Sequence, residues 1–179
     1  MKRRERIPDG LTASRVLIAF AILALIPVGP QALGAVAGLL LLGWTTDMVD
    51  GRLARRYEKE PTWLGEHDFQ IDMIMVLASA IFLTAAGLVP MEIGVPYICG
   101  AVLLSLYTLR YRHFLKFKSV TMLLAFPWVF TPFVIALLRD PIAAYAGLAW
   151  MTLALILDWR RFLGVVGDFL SGARAYFRR

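Results

Sequence analysis

The chain has 179 residues, 59% of them hydrophobic, and a mean hydropathy of +0.67; this excludes an ordinary soluble globular protein and implies an integral membrane protein, read as a single domain over residues 1–179. Its formal net charge of +6 fits anchoring to anionic membrane lipid, and nothing in the chain resembles a nucleic-acid-binding module. The lone cysteine, Cys99, excludes an intramolecular disulfide and a cysteine zinc site.

In chain order, Lys2, Arg3, Arg4 and Arg6 precede a first apolar run at 16–28. The pair mimics a secretory signal, but the run ends in Pro27, Gly29 and Pro30 without a small-residue cleavage site, so it reads as a first span. Further runs at 32–46, 71–89, 93–109, 120–138 and 142–157 bring the count to six. Lipid cannot satisfy exposed backbone groups, so the expectation is an all-α polytopic protein with six transmembrane helices. Gly29-Pro30 and Arg139-Asp140-Pro141 mark turns. Gly34 and Gly38 form a small-residue pair that lets a helix approach closely, within the bundle or, as a second reading, across a homodimer.

Basic residues fall into alternate loops: Arg52, Arg55, Arg56 and Lys59; then Arg110, Arg112, Lys116 and Lys118; then the tail from Arg160. The positive-inside rule therefore places both termini and the loop around residues 52–59 in the cytoplasm, with the protein in a cell inner membrane. After Asp158, apolar residues such as Phe162, Val166, Phe169 and Leu170 recur at helical spacing among basic ones, which predicts an amphipathic C-terminal helix on the inner leaflet.

Residues 47–72 carry the chemistry. An ionised aspartate near the hydrocarbon core costs about 2.5–3.5 kcal/mol on insertion scales, so such acids imply function. Asp47 and Asp50 are spaced i, i+3 and Asp68 and Asp72 i, i+4, so on helices each pair projects from one face. Two such faces opposed make an oxygen cage suited to a hard cation, Mg²⁺ or Mn²⁺. Gly51 and Ala54 offer close approach to the backbone and Arg55 a partner for an anion, so the set suits a metal-bound diphosphate. Glu66 and His67 adjoin the cage and are read as solvated or supporting residues, and Trp44, Trp63, Trp128 and Trp150 as packing or interface residues.

The pattern D-x2-D-G-x2-A-R, an Asp twelve residues on, then D-x3-D resembles the signature of the CDP-alcohol phosphatidyltransferases. Asp47, Asp50, Gly51, Ala54, Arg55, Asp68 and Asp72 fall in register; the family's glycine expected at position 64 is replaced by Leu64, with Gly65 beside it. Ile7-Pro8-Asp9-Gly10-Leu11-Thr12 with Arg15 is similar to the P-N-x-L-T-x-x-R opening of phosphatidylglycerophosphate synthase-like members, and Lys116-x-Lys118-Ser119 to their G-K-x-K-T stretch.

The resemblance implies transfer of a phosphatidyl group from CDP-diacylglycerol to a polar alcohol, releasing CMP, in phospholipid biosynthesis. It implies Asp47, Asp50, Asp68 and Asp72 as the metal cage, with Asp72 also the candidate general base, and Gly51, Ala54 and Arg55 at the cytidine diphosphate. Length and opening motif favour glycerol 3-phosphate as acceptor, its phosphate held by Lys116 and Lys118 with Arg110 or Arg112, while inositol phosphate, a second phosphatidylglycerol or another alcohol remains open. The rival readings are a divalent-cation or proton transporter, with aspartates along a pathway through the bundle, and an inactive membrane scaffold of the same family.

Overall fold

The structure, a computed structural model, describes residues 7–56, 62–111 and 114–177. Among them every regular element is helical: α1 (Ile7–Ala24), a short 3-10 segment (Ile26–Ala32), α2 (Leu33–Arg56), α3 (Trp63–Glu66), α4 (Asp68–Ala85), α5 (Met91–Tyr111), α6 (Phe114–Arg139), α7 (Pro141–Leu157) and α8 (Trp159–Phe177). Long helices overlap all six apolar runs, and the chain is an all-α polytopic membrane protein, but among the described residues fewer than the six expected transmembrane helices qualify as spans. Four of them, α2, α4, α5 and α6, are by themselves long and apolar enough to cross a bilayer; α7 and α8, bent by 88° where they meet, form a fifth candidate if taken together. The helix α1 is not among these, and its first half spends Asp9, Thr12 and Arg15 on polar contacts inside the bundle.

Lipid tails are as apolar as leucine, so helices in a bilayer are held by close packing and polar contacts more than by hydrophobic burial. The packing centre lies between α1, α2 and α4, where Ile18, Ile22, Val36, Leu40, Met75 and Phe82 are all buried. Gly43 makes this possible. A Cβ there would collide with Met75 Sδ and touch Ile18, so the absence of a side chain lets α2 lie against α4. Of the glycine pair expected to pack, only Gly34 is closely approached, by the Asp140 carboxylate, while Gly38 faces open space. Asp140 also caps α7, its Oδ1 accepting from the Ala143 amide at 3.2 Å, which satisfies one of the orphan donors at that helix start. Gly29, at φ 78°, supplies the left-handed residue that turns the chain from α1 into α2.

The helix α8 leaves α7 at Asp158 and lies against the beginning of α6. Lys118 Nζ donates to Asp168 at 3.0 Å and Ser119 Oγ to the Phe169 carbonyl at 3.3 Å. Arg52, near the end of α2, reaches the bend itself, pairing with Asp158 at 3.4 Å. The expected amphipathic C-terminal helix is therefore present as a separate element, roughly perpendicular to the span before it.

Candidate active site

The last turns of α2 and the first turns of α4 run side by side, so the i, i+3 pair on one helix meets the i, i+4 pair on the other. One oxygen from each of Asp47, Asp50 and Asp68 lies within 4.8 Å of the other two, a set that could hold a metal ion. Carboxylate oxygens alone suit a hard divalent cation, so the donor chemistry fits one. Asp72 joins them through a shared partner that the sequence reading passed over.

That partner is Arg15 of α1, whose side chain is wholly buried. Its Nη1 donates to Asp47 Oδ1 at 3.2 Å and also to Asp72; its Nη2 donates to Asp50 Oδ2 at 2.7 Å and also to Asp68. Thr12, one turn earlier on the same face, donates to Asp50 Oδ2 at 3.0 Å and accepts from Arg15 Nη2 at 3.2 Å. Three helices thus contribute to one cluster of four acids, one guanidinium and one hydroxyl. Asp50 is the most enclosed acid, its side chain 7% exposed, whereas Asp47, Asp68 and Asp72 are 22–35% exposed and face an opening. The sequence signalled only the residue type: an arginine entering an apolar helix needs acids to face, but nothing local names Asp47, thirty-two positions on, or the acids beyond it as those partners.

The opening is a cavity of about 550 Å³ between α2, α4, α6, α7 and the first turn of α8. Asp47, Asp68, Asp72 and Lys118 form its polar end, and Met122, Phe130, Met151 and Leu155 line an apolar wall. Trp44 and Trp150 stand in that wall 5.5 Å apart, Trp150 Nε1 donating to Thr45 at 2.8 Å, so these tryptophans pack the helices and shape the cavity together.

The segment before α4 is a single helical turn, α3. Thr62 caps the single turn of α3, accepting from the Gly65 amide at 3.3 Å, and donates to Asp9 of α1 at 2.7 Å. Asp9, standing where the resembling members have Asn, thereby ties the start of α1 to the approach to Asp68. His67 holds the Trp63 carbonyl at 2.8 Å and stacks on that indole, and it is not one of the acids' companions in the cluster.

Of the remaining predicted residues, Gly51 continues α2 one position beyond Asp50 and is half-buried. Ala54 and Arg55 lie in the last turn of α2, but their side chains fall outside the described residues. Lys118 reaches the cavity, where it is paired with Asp168. Arg110 sits in the last turn of α5, while Arg112 and the side chain of Lys116 fall outside the described residues.

The polytopic helical bundle thus carries a cluster of four acids at one end, beside a cavity lined by both charged and apolar residues. The family model for CDP-alcohol phosphatidyltransferase matches residues 5–159, and the chain belongs to that family. It is accordingly a phosphotransferase of phospholipid biosynthesis that uses a CDP-alcohol lipid and an alcohol acceptor. No curated protein and no solved structure matches the chain.

Proposed function

We propose that this protein transfers the phosphatidyl group of CDP-diacylglycerol to a polar alcohol, glycerol 3-phosphate being the favoured acceptor, with residues 1–179 acting as one catalytic unit nearest in pattern to the phosphatidylglycerophosphate synthases. The observation that carries the reading is the convergence of Asp47, Asp50, Asp68 and Asp72 beside a cavity with a polar end and an apolar wall. Asp47, Asp50 and Asp68, with Asp72 beside them, hold Mg²⁺ or Mn²⁺, which when bound neutralises the diphosphate and stabilises charge on the leaving group. Gly51 and Ala54 leave room for the cytidine diphosphate, and Arg55 pairs with its phosphates. The diacylglycerol lies along Phe130, Met151 and Leu155.

In the transfer step the acceptor hydroxyl oxygen attacks the phosphorus that bears the diacylglycerol. A new P–O bond forms, the bond from that phosphorus to the bridging diphosphate oxygen breaks, and CMP leaves with that oxygen. Asp72, on the cavity side of the cluster, takes the hydroxyl proton, a contribution worth about 10²–10⁴ in rate. Lys118 and Lys116, with Arg110 or Arg112, hold the phosphate of the acceptor at the start of α6. In this reading the site, both termini and the α8 helix lie on the cytoplasmic side of the inner membrane, which the basic residues in alternate loops support; a reporter fused after Arg179 should then give a cytoplasmic signal.

The transporter reading needs acids continuing through the bundle. Among the described residues Arg15 and Asp50 are the only charged side chains in the buried set, both at one end, which favours the enzyme. The test is incubation of the purified protein with CDP-diacylglycerol, Mg²⁺ and a panel of alcohols. CMP release that depends on glycerol 3-phosphate supports the full reading; release with another alcohol keeps the enzyme and changes the acceptor; no release with any alcohol supports the inactive scaffold.

A further inference from the structure

Arg15 has no part in the transfer step above, yet its guanidinium touches all four acids. We infer that Arg15 is the resident cation of the aspartate cluster: it holds the four carboxylates together until a divalent ion displaces it, and so sets both the stability of the unloaded protein and its affinity for the ion. This rests on the reading that the cluster takes a divalent cation.

Three observations carry it. The guanidinium is bonded to Asp47, Asp50 and Asp68, the same three acids whose oxygens converge within 4.8 Å, and a divalent ion among them would stand against a like charge. One guanidinium facing four acids leaves the cluster short of neutral whenever more than one acid is ionised, so a doubly charged ion is the better counter-charge. Arg15 Nε is buried without a hydrogen-bond partner, so the side chain is anchored mainly by the acids themselves, the bonds that an incoming ion would replace. Thr12, bonded to both Arg15 and Asp50, remains to hold the most buried acid when the guanidinium leaves.

The test uses the full chain in lipid nanodiscs, with Mn²⁺ binding followed by the electron paramagnetic resonance of the free ion and thermal unfolding recorded in EDTA and in saturating Mg²⁺. Removing a unit charge at contact distance should tighten Mn²⁺ binding to Arg15→Gln by at least about tenfold. The unfolding temperature of the same variant should fall in EDTA and return towards that of the unsubstituted protein in Mg²⁺. Arg15→Lys, whose single ammonium bridges fewer carboxylates, should fall between the two in Mn²⁺ affinity, and it decides the matter if Arg15→Gln does not fold in either condition. Equal Mn²⁺ affinity in all forms, or a loss of stability of the same size with and without Mg²⁺, would overturn the inference while leaving the metal site intact. Absence of Mn²⁺ binding in every form would overturn the metal site and the inference with it.

Discussion

Helices α4 and α5 are neighbours of nearly equal length and hydropathy, yet half of the span on α4 is buried inside the protein and only 11% of that on α5. The helix α4 packs chiefly against α1 and α6, whereas α5 stands at the edge with Leu103, Leu104, Leu106 and Tyr107 exposed. Apolar content places both in the membrane and says nothing about which of them is central. The acids do. A helix that carries Asp68 and Asp72 into the bilayer edge must turn them towards partners, and those partners draw other helices around it.

The largest expected effect separates the two helices chemically. If Asp72 is the proton acceptor proposed above, Asp72→Asn on α4 should lower kcat by about 10²–10⁴ with little change in either substrate's KM, since the binding walls are left in place. Steady-state CMP release checks this, and a loss confined to KM would assign Asp72 to binding.

A second contrast concerns packing. Gly43→Val on α2 places methyl groups against Met75 of α4, an overpacking that should cost about 1–3 kcal/mol. Gly100→Ala on α5 meets nothing within 4 Å and should leave stability unchanged or slightly raised, because alanine favours helix by about 1 kcal/mol. Thermal unfolding in one detergent compares them directly; equal sensitivity would make α5 as closely packed as α4.

The smallest effect lies where α6 meets α8. Lys118→Ala should raise the acceptor's KM while leaving that of CDP-diacylglycerol nearly unchanged. Asp168→Asn should lower the acceptor's KM modestly, since the ion pair it breaks is half-exposed and worth at most about 1 kcal/mol. Equal changes for both substrates would return Lys118 to a role in holding α8.

Much of this was legible in the chain. The helices follow from apolar runs, and Asp47, Asp50, Asp68 and Asp72 from helical spacing. What was not legible depends on residues distant in sequence. Arg15 precedes Asp47 by thirty-two positions, and only the packing of α1 into the notch between α2 and α4 makes it the centre of the cluster. Gly38, spaced four from Gly34, reads as a contact residue but faces open space, whereas Gly43, outside that pair, is the one pressed by Met75. Thr62, whose hydroxyl accepts from the Gly65 amide and donates to Asp9, makes a bond across fifty-three positions that no local pattern displays.

In the function proposed above, the acids of α2 and α4 form a divalent-metal site that drives transfer from the CDP-alcohol. Its most direct test is metal-dependent CMP release from CDP-diacylglycerol by Asp47→Asn and Asp50→Asn, each shown by size-exclusion and thermal unfolding to be folded. Both folded variants should lose release by orders of magnitude at every Mg²⁺ and Mn²⁺ concentration, because a neutral amide is a far weaker ligand than a carboxylate. Near-normal, metal-dependent release by either variant would contradict it.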